Sequence, residues 1–251
     1  MIVRPIKHYV HRLLLAALFM GPASLWAGPP YQTDDPEPTE LGHLEVIVAA
    51  TTTFTEAGKQ AGFPQLQLNY GAVPDVQLSY SGQLSFSAPT DGPVTAGLGD
   101  TSLSVKYRFL HESDGLPQAA VFPQVVLPSG DPSRGLGAGQ AQYLLPLWLQ
   151  KSWGPWTAFG GGGYWINRME GGKDWTFLGA ALQRDLGEAL SVGAELLYHS
   201  SAQVDDVDGT GLGLDMLWHL NKDHSLVFSG GRDLIGGSVN FNGFAGYQMV
   251  I

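Results

Sequence analysis

The chain of 251 residues is an ordinary length for one domain, and Lys+Arg 13 against Asp+Glu 23 leaves a net charge of -10, which excludes the basic face of a nucleic-acid binder. Only 14% of residues are charged and 44% are hydrophobic, while 34 glycines accompany 7 Trp, 9 Tyr and 11 Phe, so disorder is excluded and a glycine- and aromatic-rich β architecture is favoured. The absence of cysteine removes disulfide frameworks, thiolate metal sites and cysteine nucleophiles.

Arg4, Lys7 and Arg12 precede the apolar run Leu13 to Met20, after which Gly21 and Pro22 break any helix and Leu25-Trp26-Ala27 offers a cleavage site before Gly28. This pattern predicts a secretory signal peptide over 1–27. After Met20 no stretch reaches the roughly 20 apolar residues that a transmembrane helix needs.

The remainder alternates with a period of two. From Asp75 to Ser87, Val76, Leu78, Tyr80, Leu84 and Phe86 share one face, while Gln77, Ser79, Ser81, Gln83 and Ser85 share the other. Leu103, Val105, Tyr107 and Phe109 likewise oppose Ser102, Ser104, Lys106 and Arg108, and Leu212, Leu214, Met216 and Trp218 oppose Gly213, Asp215 and His219. Such segments predict twelve strands near 43–54, 64–71, 75–86, 98–109, 118–127, 141–151, 155–166, 175–185, 190–198, 210–220, 224–231 and 239–250. Pro123 and Pro146 fall inside two of them and predict a bulge or kink. The segments Trp156 to Trp165 and Trp175 to Asp185 show no clean parity, which leaves the side of Arg184 open.

A soluble sandwich and a membrane barrel both produce this alternation. Strand lengths near the 9 to 11 residues that cross a bilayer at a barrel tilt point to the barrel. So do outer connections longer than the inner turns, with 55–63, 128–140 and 232–238 among the outer ones. Aromatics near strand ends add interfacial girdles: Phe54, Tyr70, Phe86, Tyr107, Phe109, Trp175, Tyr198, Trp218 and Tyr247. The expected fold is all-β, a transmembrane antiparallel up-and-down β-barrel of about twelve strands over 43–251, preceded by a periplasmic or plug segment over 28–42.

Residues 28–38 read Gly-Pro-Pro-Tyr-Gln-Thr-Asp-Asp-Pro-Glu-Pro, and Gly42-His43-Leu44-Glu45 opens the first strand. With Gly97-Leu98-Gly99-Asp100-Thr101-Ser102 and Val126-Leu127-Pro128-Ser129-Gly130-Asp131, the chain resembles the outer-membrane proteins grouped under the meta-pathway of phenol degradation. The resemblance implies a bacterial outer-membrane channel for aromatic or hydrophobic compounds, and it supplies no catalytic residue to carry over. A protein of this kind sits among outer-membrane lipids, is inserted by the barrel-assembly machinery, and needs no cofactor to pass small solutes down a gradient. The ending Tyr247-Gln248-Met249-Val250-Ile251 departs from the aromatic terminal residue usual in barrel insertion signals.

Folding 190–198 onto 210–220 about a loop centred near 205 brings Glu195 and Asp215 into approximate cross-strand register on the polar face. Two such carboxylates are either a cation-selective constriction or a pair satisfied by lumenal water. Lys106 and Arg108, with Glu45 at the same end, either bind an anionic solute, hold the acidic segment as a plug, or snorkel toward headgroups. The plug candidates are Asp34, Asp35 and Glu37, on a stretch whose prolines forbid regular structure.

The Asp206-x-Asp208-Gly209 core lacks the glutamate of a calcium loop and reads as a solvated outer loop. The histidines have no metal-ligand spacing. His199 and Ser200 suggest an acyl-ester hydrolase, yet neighbours on a strand point to opposite faces. A passive channel is therefore the expected function, with a non-conducting structural or adhesion barrel and a hydrolase as its rivals. Oligomeric state is not readable.

Overall fold

The computed structural model describes residues 31–169, 171–203 and 207–251; the expected signal peptide, the start of the plug segment at 28–30 and positions 204–206 of the acidic loop lie outside the described residues. Among the described residues, twelve antiparallel strands close into a barrel. They are β1 (Leu44–Thr55), β2 (Gly58–Val73), β3 (Val76–Pro89), β4 in two pieces (Thr95–Leu98 and Thr101–Leu110), β5 in two pieces (Gln118–Val121 and Gln124–Leu127), β6 (Gln142–Trp153), β7 (Trp156–Ile166), β8 (Trp175–Asp185), β9 (Leu190–His199), β10 (Gly209–His219), β11 (His224–Gly236) and β12 (Val239–Val250). Each strand pairs with the next, and β12 returns to β1 from Glu45↔Val250 to Thr55↔Val239, which closes the barrel; among the described residues the piece Thr95–Leu98 is paired on its β3 side alone.

The alternation now acquires a direction. On β10, Leu214 is 63% exposed while its neighbour Asp215 is 5% exposed, and the same inversion recurs at Leu196 against Glu195. Leucine outward and carboxylate inward is the wrong polarity for a fold in water and the required one in lipid. Phe54, Phe86, Tyr107, Phe109, Trp218 and Tyr247 are among the exposed aromatics near the rims.

Two expectations need correction, and one open question is answered. The connections at 55–63 and 232–238 are not long loops: β1 and β2 run on to Thr55 and Gly58, and β11 and β12 to Gly236 and Val239, so two-residue turns join them. Trp175 is not in a girdle. It pairs with Trp165 in register, and both indoles lie on the lumenal parity, stacked with centroids 5.5 Å apart and planes 10° apart. Arg184 takes the opposite parity, outside the barrel, with its guanidinium 5.0 Å from the ring centre of Trp156.

The prolines share one defect. Phe122 and Pro123 interrupt β5 where it faces Pro146 of β6, and the ladder resumes on either side at Val121↔Leu147 and Gln124↔Leu144. Pro146 has no N–H to offer, so the gap in β5 falls where β6 lacks a donor.

Candidate functional site

Residues 31–40 lie inside the barrel, in the half where β1 begins and β12 ends, and form no strand or helix. Tyr31, Thr33 and Asp35 are buried, the last two completely. Three glycines of the wall make room for this segment: a side chain on Gly193 would overlap the Tyr31 hydroxyl, one on Gly179 would overlap Thr33, and one on Gly71 would overlap Glu40. Tyr31 packs edge-to-face on Phe159 at 4.8 Å and joins a small apolar core with Ala181, Leu217 and Val227. Its hydroxyl donates to Gln183 Oε1 at 3.1 Å. Burial, and then the charges of Asp215, Glu195 and Asp185, push the phenol far above its usual range, so it remains a neutral donor.

The segment is held by polar bonds along its length. Glu195 accepts from the Gln32 N–H at 3.1 Å and the Thr33 N–H at 2.8 Å, and Gln77 Oε1 accepts from the Thr39 N–H at 2.8 Å. Lys106 Nζ lies 3.0 Å from Asp34 and 3.7 Å from Asp35. Arg108 bridges Glu37 at 3.2 Å to Asp75 at 2.9 Å, and Gln118 donates to the other Glu37 oxygen. Burial raises the Asp35 carboxyl well above its usual range, with Lys106 pulling it back. Asp75, in the Pro74–Asp75 turn, is partly desolvated yet held below the usual carboxylate range by hydrogen bonds from Arg108 and His111.

The expected site residues are thus divided. Lys106 is buried, and both Lys106 and Arg108 point inward to the acidic segment rather than toward headgroups. Glu45 also faces the lumen, where Asn69 donates to it at 2.6 Å and Gln248 bonds its other oxygen. Glu195 and Asp215 are not direct partners: Glu195 sits opposite Gly213, and Asp215 opposite Gly193. The register of β9 on β10 runs two residues off the expected one, the displacement that a single-residue shift at a turn produces. Among the described residues neither oxygen of Asp215 has a hydrogen-bond partner.

Above the segment lies a cavity of about 650 Å³. Phe122, Trp148, Trp165, Trp175 and Phe177 wall one side, with Leu144, Pro146 and Leu197 between them; Gln32 and Asp34 form part of its floor, and His199, Gln203, Asp233 and Asn242 face the aromatics. Trp148 and Phe177 lie 5.5 Å apart, continuing the Trp165–Trp175 stack. Sequence reasoning missed this wall because β6 to β8 are apolar on both faces: Leu145, Leu147 and Leu149 look outward while Leu144, Pro146 and Trp148 look inward. His199 is 3.4 Å from Asp233 and Ser200 accepts from the Thr176 N–H; no hydrogen bond joins His199 to Ser200 among the described residues. Asp208 accepts from the Ser201 N–H and the Tyr198 hydroxyl, as a loop brace. Among the described residues no group of three His, Asp or Glu side chains is arranged to hold a metal ion.

A closed barrel with leucines outward, a polar lumen and an internally bound segment defines an outer-membrane β-barrel protein. The chain belongs to the family described as "Putative MetA-pathway of phenol degradation", whose model matches residues 27–250. No curated protein matches it. Among solved structures it is similar to an outer membrane channel from Pseudomonas putida F1, at 17% identity over 86% of this chain and 98% of that one, with a TM-score of 0.71. It is also similar to the KdgM porin, at 10% identity over 82% of this chain and 98% of the porin, TM-score 0.55. The translocator domain of the autotransporter NalP from Neisseria meningitidis matches at 12% identity over 84% and 89%, TM-score 0.54. These likenesses are likenesses of fold.

Proposed function

We propose that the protein is a passive outer-membrane channel for small aromatic or otherwise hydrophobic solutes, with residues 31–40 as its plug. The observation that carries this reading is the aromatic-walled cavity seated directly on a segment held by exchangeable polar bonds. An apolar solute gains about 25 cal/mol for each Å² it hides from water against such a wall. Release of the segment exposes groups that water can serve: Lys106, Arg108 and Gln77 each lose a partner that solvent replaces. Solute then runs down its own gradient, and no cofactor or energy source enters. Departure of the segment also frees Glu195, which with Asp215 places two carboxylates diagonally across the path and favours cations over anions.

The test is single-channel conductance of the refolded protein in planar bilayers, beside a form lacking residues 28–41. Tryptophan fluorescence is titrated in parallel with 4-nitrotoluene, a small aromatic quencher. The expected result is a nearly silent full-length protein, cation-selective steps after the deletion, and saturable quenching in both. Silence in both forms moves the non-conducting structural barrel to the front.

A further inference from the structure

Two stretches singled out in the sequence, Gly99-Asp100 and Pro128 to Asp131, have no part in the site above. β4 breaks between Leu98 and Thr101. Above the break Thr95 and Gly97 are on the lumenal parity; below it Ser102, Ser104 and Lys106 are, so the phase slips by one residue across Gly99 and Asp100. A slip of this kind takes a side chain out of the ladder and re-aims it.

The Asp100 carboxylate is aimed at the connection between β5 and β6. Its Oδ1 accepts the Gly130 N–H at 2.9 Å and its Oδ2 accepts the Ala138 N–H at 2.7 Å, so one side chain ties together both ends of the loop. Beside it the Ser129 hydroxyl donates to the Gly99 carbonyl at 3.0 Å, Arg134 Nη2 donates to the Ala96 carbonyl at 2.8 Å, and the Thr95 hydroxyl donates to the Arg134 carbonyl at 2.6 Å.

These bonds turn the loop inward. Leu136, near its tip, is 4% exposed although Asp131 to Gly135 before it are exposed. It packs over the lumenal face of Gly97, where a Cβ would come within 2.9 Å of its Cδ1, and Gly135 packs over the lumenal Ser87. The loop therefore fills the outer end of the barrel on the β3–β4 side, whereas the aromatic wall rises from β5 to β8.

We propose that loop 128–140 is a constriction of the outer mouth and that Asp100 is the residue that positions it, confining solutes to the aromatic half of the lumen. The proposal rests on the channel reading and adds to it a determinant of size selection distinct from the plug.

The test places Asp100→Ala and, separately, Leu136→Ser in the full chain and in the form lacking 28–41. Heat-modifiable gel migration verifies that each barrel is folded. Trypsin cleavage after Arg134 reports loop release, while conductance and liposome swelling with sugars of graded size report the mouth. The expected result in the plug-free form is faster cleavage, an upward shift in conductance and loss of the size limit for both variants. Faster cleavage with conductance and size limit unchanged would overturn the constriction, and unchanged cleavage in Asp100→Ala would overturn the role of Asp100. Silence of the plug-free parent protein is a different failure, that of the channel reading, and would remove this proposal with it.

Discussion

Tyr31 and Gly193 share one position in the lumen: the tyrosine hydroxyl occupies the space that any side chain on the glycine would fill. The fit binds the segment to β9 by shape, while Glu195, two residues along the same strand, binds it by charge. Overfilling a packed site costs about 1–3 kcal/mol, so Gly193→Val displaces Tyr31 without dissolving a barrel held by twelve ladders. The expected readout is conductance like that of the deletion form. Full-length Gly193→Val that stays as silent as its parent would show that the segment is seated without Tyr31.

The charged tether makes a second prediction. Lys106 is buried beside Asp34, Asp35 and Glu45, and removing one member of a buried ion pair typically costs 3–5 kcal/mol because the remaining charge is stranded. Lys106→Gln should therefore raise the open probability in bilayers more than Asp34→Asn, whose side chain is 23% exposed and can be served by water. Equal effects of the two substitutions would argue against the buried tether.

Acidity should tighten the seat. A carboxyl raised on seating takes up a proton when it seats, so Asp35 contributes fully below its unseated value of about 3.9, and the contribution is lost as pH rises through its seated value. Asp75 does not enter this balance, because the Arg108 and His111 groups that hold its carboxyl low both belong to the barrel and stay in place when the segment leaves. Closure measured by conductance should thus strengthen from alkaline toward mildly acidic pH, and Asp35→Asn should flatten that slope. A slope unchanged in Asp35→Asn would assign the effect to other groups.

The aromatic wall predicts binding rather than gating. Stacked aromatic pairs add about 0.5–1.5 kcal/mol beyond area, and each 1.4 kcal/mol is tenfold in affinity. Trp175→Ala is expected to weaken 4-nitrotoluene binding by about tenfold, leaving the conductance of the plug-free form intact. Loss of conductance together with affinity would place Trp175 in the conduction path itself.

The twelve strands were legible because their two faces differ. Wherever leucine alternates with serine, glutamine or aspartate, as along β3, β4 and β10, strand and inward face can be read from the chain. The same rule fails on β6 to β8, where the lumen is itself aromatic and the contrast disappears; Trp148, Trp165 and Phe177 are silent in sequence for that reason. The acidic segment and its cations, Lys106 and Arg108, could be paired from composition and position. The seat offered by Gly71, Gly179 and Gly193 could not, because a glycine shows which neighbour it admits only once the barrel has closed.

The bonds from Gln32 and Thr33 to Glu195 span 163 and 162 positions of the chain. Their acceptor stands in a wall that does not exist until β9 has been laid beside β8, while Lys106 and Gln77 arrive with β4 and β3. Docking of the segment therefore requires both β9 and the β3–β4 side of the wall to be in place, and its bonds are distinct from the ladders around it. In native-state hydrogen exchange residues 31–40 should form a cooperative unit of their own, opening at a cost set by a handful of contacts while the barrel amides remain protected.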